Sequence, residues 1–224
     1  MGRFAVIGLG TFGFNVAGAL FQKGHNVIAI DAAEEMVQRA REVASQCIAA
    51  DATDRDTLES LGLDDVDCAV ISVGDKIDAS ILITLHLTEL GVKMIVVKAV
   101  NDTHGKILRK IGATEVVYPE KQMALRIADR IGHKNVLDQF TLGDGISILE
   151  LIVPAQLVGK TIRDCNLRRD YGMNVIALKE IITGAEEYPF SLPSPDDVLK
   201  ENQILVVIGS DENIEAFKQR QTSL

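Results

Sequence analysis

The chain has 224 residues, 47% of them hydrophobic and 25% charged, and 23 basic against 32 acidic side chains give a net charge of −9. That length suits one large domain or two small ones, and the composition is that of a globular protein able to bury a proper core. Fifteen basic and 18 acidic residues precede residue 135, and eight and 14 follow it. Neither part has the net-basic footprint of phosphate-backbone binding, so no nucleic-acid partner is expected.

The longest apolar runs, such as Met94–Val97 and Ile204–Ile208, fall far short of the ~20 residues of a membrane span. The N-terminus runs directly into an apparent strand, with no secretory leader pattern. Cys47, Cys68 and Cys165 are widely spaced and odd in number, which favours three buried thiols in a reducing cytoplasm over a disulfide framework or a metal site.

Up to residue 118, short apolar runs alternate with amphipathic helical patterns. Phe4–Gly8 reads as a strand, and Thr11–Lys23 as a helix with Phe12, Val16, Ala19 and Leu20 on one face, ended by Gly24. Asn26–Ile30 is the next strand, Ala33–Ala44 a helix and Gln46–Ala50 a strand. Asp54–Leu61 is a helix that Asp54 can cap and Gly62 can end. Cys68–Val73 is a strand, Lys76–Leu90 a long helix stopped by Gly91, and Val92–Val100 a strand. Asn101–Ile111 is a helix closed by Gly112, and Glu115–Tyr118 a short strand. These strands are continuously apolar, as in a parallel sheet covered on both faces, so the first part is predicted to be a Rossmann-like, doubly wound α/β unit. Glu120–Gly132 is helical, with Met123, Ile127 and Ile131 at four-residue steps; the stripe suits either a neighbouring subunit or the first domain's own end. The last ~80 residues change character: strands at Ile146–Val153, Asn174–Leu178 and Ile204–Gly209, and short helices at Thr161–Leu167 and Glu212–Gln219. Pro189, Pro193 and Pro195 mark a loop. A small α+β unit is predicted.

The sharpest chemical signal is Gly8-Leu9-Gly10-Thr11-Phe12-Gly13, placed between a strand and a helix. Gly8 permits the tight turn, Gly10 lets backbone approach a pyrophosphate, and Gly13 lets helix meet strand, while the helix N-terminus offers free N–H groups to the phosphate. Asp31, at the end of the second strand, can accept ribose hydroxyls, and no basic residue follows it to hold a 2′-phosphate. Asp51-Ala52-Thr53 and Ser72-Val73-Gly74 end the third and fourth strands on the same edge; Asp51 or Asp54 could equally cap the next helix. No Tyr-x-x-x-Lys pair exists, and His25, His86, His104 and His133 are scattered without a companion Cys or carboxylate pair. Val158-Gly159-Lys160-Thr161 ends like a P-loop but has Pro154 where that motif needs glycine. A nucleotide site without a catalytic group points to sensing; a small NAD-dependent dehydrogenase and a free-standing sensor are the alternatives.

The order GLGTFG, Asp31, Asp51-Ala52-Thr53, Tyr118-Pro119-Glu120-Lys121 and the run LVGKTIRDCNLRRDYGMNVIAL from Leu157 to Leu178 resembles the TrkA/KtrA family of regulator-of-potassium-conductance (RCK) proteins, across essentially the whole chain. The resemblance implies a Rossmann N-lobe over 1–118, a crossover and dimerisation helix over 119–140, and a regulatory C-lobe over 141–224. It implies a non-enzymatic cytoplasmic ring, from dimer to octamer, at the inner face of the plasma membrane beneath a TrkH/KtrB-type potassium channel or transporter. An adenine nucleotide, NAD/NADH or ATP/ADP, is implied as the ligand that changes the ring's shape. Residue by residue, the resemblance assigns Gly8, Gly10, Thr11, Phe12 and Gly13 to the phosphates and Asp31 to the ribose. It gives Asp51, Ala52, Thr53, Ser72, Val73, Gly74 and Lys98 to the rest of the adenosine site. Glu120 matches a glutamate near the terminal phosphates, where Mg2+ or Ca2+ can sit. Arg169, Asn174 and Pro193 match positions that bind cyclic di-AMP in some members, and lobe packing is the other reading of them. Thr11 stands where members that separate ATP from ADP often carry an arginine, so similar affinities for the two are expected; Asp51 stands where some relatives have a neutral amide.

Overall fold

The computed structural model of the protein describes every residue except 75, 134, 183, 185–187, 223 and 224. By its internal contacts the chain forms two units, Met1–Glu120 and Lys121–Leu224. In the first, β1 (Arg3–Ile7), β2 (Asn26–Asp31), β3 (Gln46–Ala49), β4 (Cys68–Ile71), β5 (Ile95–Lys98) and β6 (Glu115–Val117) make a parallel sheet of order β3-β2-β1-β4-β5-β6. Between them run α1 (Thr11–Gln22), α2 (Glu34–Ala40), α3 (Arg55–Ser60), α4 (Ile77–Glu89) and α5 (Asp102–Lys110). Alternate strand residues feed separate cores. Ile7, Ile30, Ile71 and Val97 pack with Leu58, Leu87 and Leu108 of α3, α4 and α5, whereas Val6, Ala29 and Val70 pack with Ala17 and Val37 of α1 and α2. Both faces are therefore covered, which explains the unbroken apolar strands. Each fully buried Ile or Leu contributes about 1.5–3 kcal/mol through burial.

The elements of this unit match the sequence reading, with trimmed ends. The fifth strand is shorter than expected because its flanks are engaged elsewhere: the Val92 N–H bonds to the Leu87 carbonyl at the end of α4, and the Val100 N–H donates to His104 Nδ1. Asp54 caps α3 as expected, accepting from the Asp56 N–H and the Thr57 hydroxyl.

From Pro119 the chain continues as α6 (Pro119–Gly132), β7 (Val136–Gly143), β8 (Ile146–Ile152), α7 (Leu167–Tyr171), β9 (Asn174–Glu180), β10 (Phe190–Ser191), β11 (Gln203–Ser210) and α8 (Asp211–Thr222). The five strands form an antiparallel sheet of order β10-β9-β11-β8-β7, and one of its faces packs Leu149, Leu151, Leu205 and Val207 against Ile214 and Phe217 of α8. Three expectations change here. Strand β7 occupies part of the segment read as crossover, and α6 ends at Gly132. The helix expected over Thr161–Leu167 is a turn instead, because Thr161 and Asp164 bond to each other and Asn166 takes a left-handed φ of +48°; α7 begins where that helix was to end. The proline loop contains β10, paired to Lys179 and Leu178 of β9 at the sheet edge. No described helix is long and apolar enough to cross a membrane.

Candidate nucleotide site

In the order β3-β2-β1-β4-β5-β6 the chain reverses direction of travel between β1 and β4, and the carboxyl ends of the strands at such a point form a ligand crevice. The glycine turn lies there. Gly8 has φ +89°, and a Cβ on it would stand 2.3 Å from the Ser72 carbonyl oxygen; one on Gly13 would stand 1.9 Å from the Gly8 carbonyl oxygen. Both glycines are therefore dictated by contacts within the chain. Gly10 differs: a Cβ there would meet nothing within 4 Å, so what its bareness offers is open approach from outside. Gly10 also starts α1 without a side-chain cap, and the first turn carries no acidic residue. The bond from the Phe14 N–H to the Gly10 carbonyl is the first helical one, which leaves the N–H groups of Thr11, Phe12 and Gly13 at the positive end of a 12-residue helix.

Asp31 closes one side. Its Oδ2 accepts the Leu9 N–H at 2.6 Å and its Oδ1 the Ala33 N–H at 2.9 Å. The carboxylate thus locks the glycine turn to the end of β2, and each oxygen keeps a lone pair for a ribose hydroxyl. The sequence did not reveal the Leu9 and Ala33 contacts, since backbone donors leave no residue signature.

The other assigned residues divide by role. Asp51 Oδ1 accepts both the N–H and the hydroxyl of Thr53, at 2.9 and 2.7 Å, and this holds the Asp51 carboxyl below its usual range. Ser72 is buried under the turn. The Ala52 side chain lies in the core, so it can meet a ligand only through backbone, and Val73 is half-buried against that core. Gly74 has φ +68° and open space at its Cβ position. Lys98, at the carboxyl end of β5, places Nζ 2.5 Å from Glu120 Oε1 in the first turn of α6, and this bond holds the Glu120 carboxyl below its ordinary range. Thr11 lends its carbonyl to the Asn15 amide at 2.7 Å. Among the described residues, no three His, Cys, Asp or Glu side chains come together as metal ligands. Glu120 offers one carboxylate, which the Lys98 ammonium holds.

The structure does join two groups that looked scattered. His104 Nε2 lies 2.8 Å from Ser80 Oγ. Ser80 donates to the Ile77 carbonyl and Nδ1 accepts the Val100 N–H, so the ring is neutral with its proton on Nε2. Both residues are buried, and the ring nitrogens meet the Val100 N–H and the Ser80 hydroxyl, which makes this a brace between α4 and α5 rather than a nucleophile and its base. In the second unit, Arg169, Asn174 and Pro193 line one open cavity of about 500 Å³ with Arg163, Arg168 and Asn166. Arg169 pairs with its neighbour Asp170 at 2.8 Å.

Fold and site together define a Rossmann-type nucleotide-binding unit followed by a small antiparallel unit. Residues 4–119 match the TrkA-N domain and residues 147–221 the TrkA-C domain. The chain is 42% identical over 221 residues to Ktr system potassium uptake protein C of Bacillus subtilis, covering 97% of this chain and 96% of that protein. It is 38% identical over 216 residues to Ktr system potassium uptake protein A of the same organism, covering 96% and 95%. The solved RCK domain of the GsuK channel has the same fold, with a TM-score of 0.67 at 20% identity; it covers 97% of this chain, which spans 47% of that one. The chain belongs to the TrkA/KtrA family of RCK proteins.

Proposed function

We propose that the protein is the nucleotide-binding regulatory subunit of a potassium uptake system, acting on a TrkH/KtrB-type membrane partner. The observation that carries this is the glycine turn. Gly8 and Gly13 are fixed by the fold, whereas Gly10, with three N–H groups at a helix start and Asp31 alongside, opens outward in the shape of a diphosphate and ribose site. Thr11, Phe12 and Gly13 take the phosphates through their N–H groups, Asp31 the ribose, and the strand ends at Asp51-Ala52-Thr53 and Ser72-Val73-Gly74 the adenosine. The ligand is an adenine nucleotide, ATP/ADP or NAD/NADH. A ligand that prefers one of two ring shapes shifts their balance by its difference in affinity, and that difference is the signal passed to the membrane partner. The test is a calorimetric screen of ATP, ADP, NAD and NADH at fixed salt, with co-purification of a potassium-transporting membrane protein. Absence of binding by all four would refute the proposal, as would turnover of NADH with a substrate panel.

A second ligand site is favoured by the cavity that unites Arg169, Asn174 and Pro193. Its three arginines and its size suit cyclic di-AMP, with the phosphates on the guanidiniums. Titration of cyclic di-AMP into wild type and Asn174→Ala tests it; equal affinities would reject it.

A further inference from the structure

The strand beside β1 delivers a lysine to the rim of the crevice. Strand β4 pairs with β1; the Ser72 N–H donates to the Ile7 carbonyl, and the Ser72 carbonyl lies against Gly8. The chain leaving β4 therefore starts one strand spacing, about 4.8 Å, from the glycine turn. It passes Gly74, whose left-handed φ of +68° turns the backbone, and reaches Lys76 at the start of α4. The Lys76 side chain is exposed, and among the described residues no ion pair takes its ammonium. Its charge is nonetheless felt at Asp51. The Thr53 bonds do most to hold that carboxyl below its ordinary range, and Lys76 adds to them. Lys76 thus stands near the loop that follows β3, on the carboxyl edge of the sheet.

The charge balance of the crevice gives this lysine a role. Asp31 and Asp51 put two carboxylates beside the glycine turn, and a diphosphate brings further negative charge to them. The start of α1 answers with only about half an elementary charge, and the Lys98 ammonium is held by Glu120. Lys76 is a full cation within reach, because the flexible four-carbon stem of a lysine spans one strand spacing. We propose that Lys76 is a ligand-binding residue: its ammonium reaches over the glycine turn and bonds a phosphate oxygen of the diphosphate resting there. This rests on the crevice being the nucleotide site. Leaving the neighbourhood of Asp51 costs little, since solvent-exposed charges attract one another weakly, whereas the bond to phosphate is charge-assisted. Lys76 recognises the diphosphate and not the group beyond it, so it serves ATP, ADP, NAD and NADH alike. Its place at the exposed rim makes the contact sensitive to salt.

The experiment is calorimetric titration of ATP, ADP, NAD and NADH into wild type, Lys76→Met, Lys76→Arg and Lys23→Met, each at low and at high salt. Thermal melts confirm that every variant is folded. Lys23→Met removes the same charge from the end of α1, at the opposite edge of the sheet. Lys76→Met weakens each nucleotide that wild type binds by about threefold to tenfold at low salt, and high salt narrows the gap. Lys76→Arg keeps most of the affinity, and Lys23→Met matches wild type. Wild-type affinity in Lys76→Met at low salt, a loss that salt does not change, or an equal loss in Lys23→Met would overturn the role of Lys76 while leaving the crevice intact. Failure of wild type to bind any of the four nucleotides would overturn both.

Discussion

Asp31 gives the most direct test of the crevice. Its two oxygens already hold the Leu9 and Ala33 N–H groups, so Asp31→Ala removes an electrostatic lock as well as a ribose acceptor. A hydrogen bond to a charged group contributes about 1.5–3 kcal/mol. Losing one such ribose bond therefore weakens binding about tenfold or more, and losing both about a hundredfold. The freed Leu9 and Ala33 donors add a smaller cost, because the turn must still present Thr11, Phe12 and Gly13 to the phosphates. Asp31→Asn separates the contributions: it keeps the shape and one acceptor but not the charge, and falls between wild type and Ala. The assay is isothermal titration of adenine nucleotide into each protein, with thermal melts to confirm that every variant is folded. A folded Asp31→Ala protein of unchanged affinity would refute both the ribose role and the placement of the site.

Gly13→Ala drives a Cβ into the Gly8 carbonyl and should lower the urea unfolding free energy of the first unit by about 3 kcal/mol. Gly10→Ala meets nothing in the chain, so it should fold normally and lose nucleotide affinity; equal destabilisation by both would contradict the steric assignment. Burial holds the His104 pKa below its usual 6.5. The unfolded chain therefore takes up the proton first: stability is complete above about pH 6.5 and falls as pH drops from there toward the folded value. Urea melts at pH 8 and pH 5.5 should show this slope in wild type and a flatter one in His104→Gln; parallel slopes would remove His104 as the cause. Ile131 is 76% exposed on α6, and Ile131→Asp should shift light scattering at micromolar concentration from a dimer or larger toward monomer. Wild type that is monomeric under those conditions would refute the assembly.

What the sequence shows depends on where the determinants lie. The parallel unit was legible almost strand by strand, because two-sided burial leaves continuous apolar runs and Gly24, Gly91 and Gly112 stand just past the helices. The glycine turn was legible for the same reason, since contacts within the chain dictate two of its three glycines. Strand β7 was missed because it is a sheet edge whose second half is exposed, so it lacks an apolar rhythm. Its signal was the Gly143-Asp144-Gly145 turn, all three at positive φ, which is hairpin chemistry. The Ser80–His104 brace and the Lys98–Glu120 pair join residues 24 and 22 positions apart, and no local spacing rule reports such pairs.

Helix α6 carries an apolar side that the chain leaves exposed. None of its residues is buried, and Met123, Leu125, Ile127 and Ile131 are exposed. A 14-residue helix is marginal on propensity alone and is ordinarily held by burying an apolar stripe. What holds its second half here is ionic. Asp138 of β7 faces Glu150 of β8 directly across the strands, an unfavourable pairing of like charges. Arg126 of α6 answers it, pairing with Asp138 through both nitrogens, stacking over Phe140 and lying close enough to Glu150 to feel its charge, while Lys179 takes Glu150 from the other side at 2.6 Å. Lys218 of α8, itself buried, adds Asp129. Ion pairs fix a direction but contribute little net energy when solvent reaches them. The polar side of α6 is thus oriented by its own chain, and the stabilising burial is left to whatever covers the apolar side. A helix built in that way should gain most of its stability on assembly.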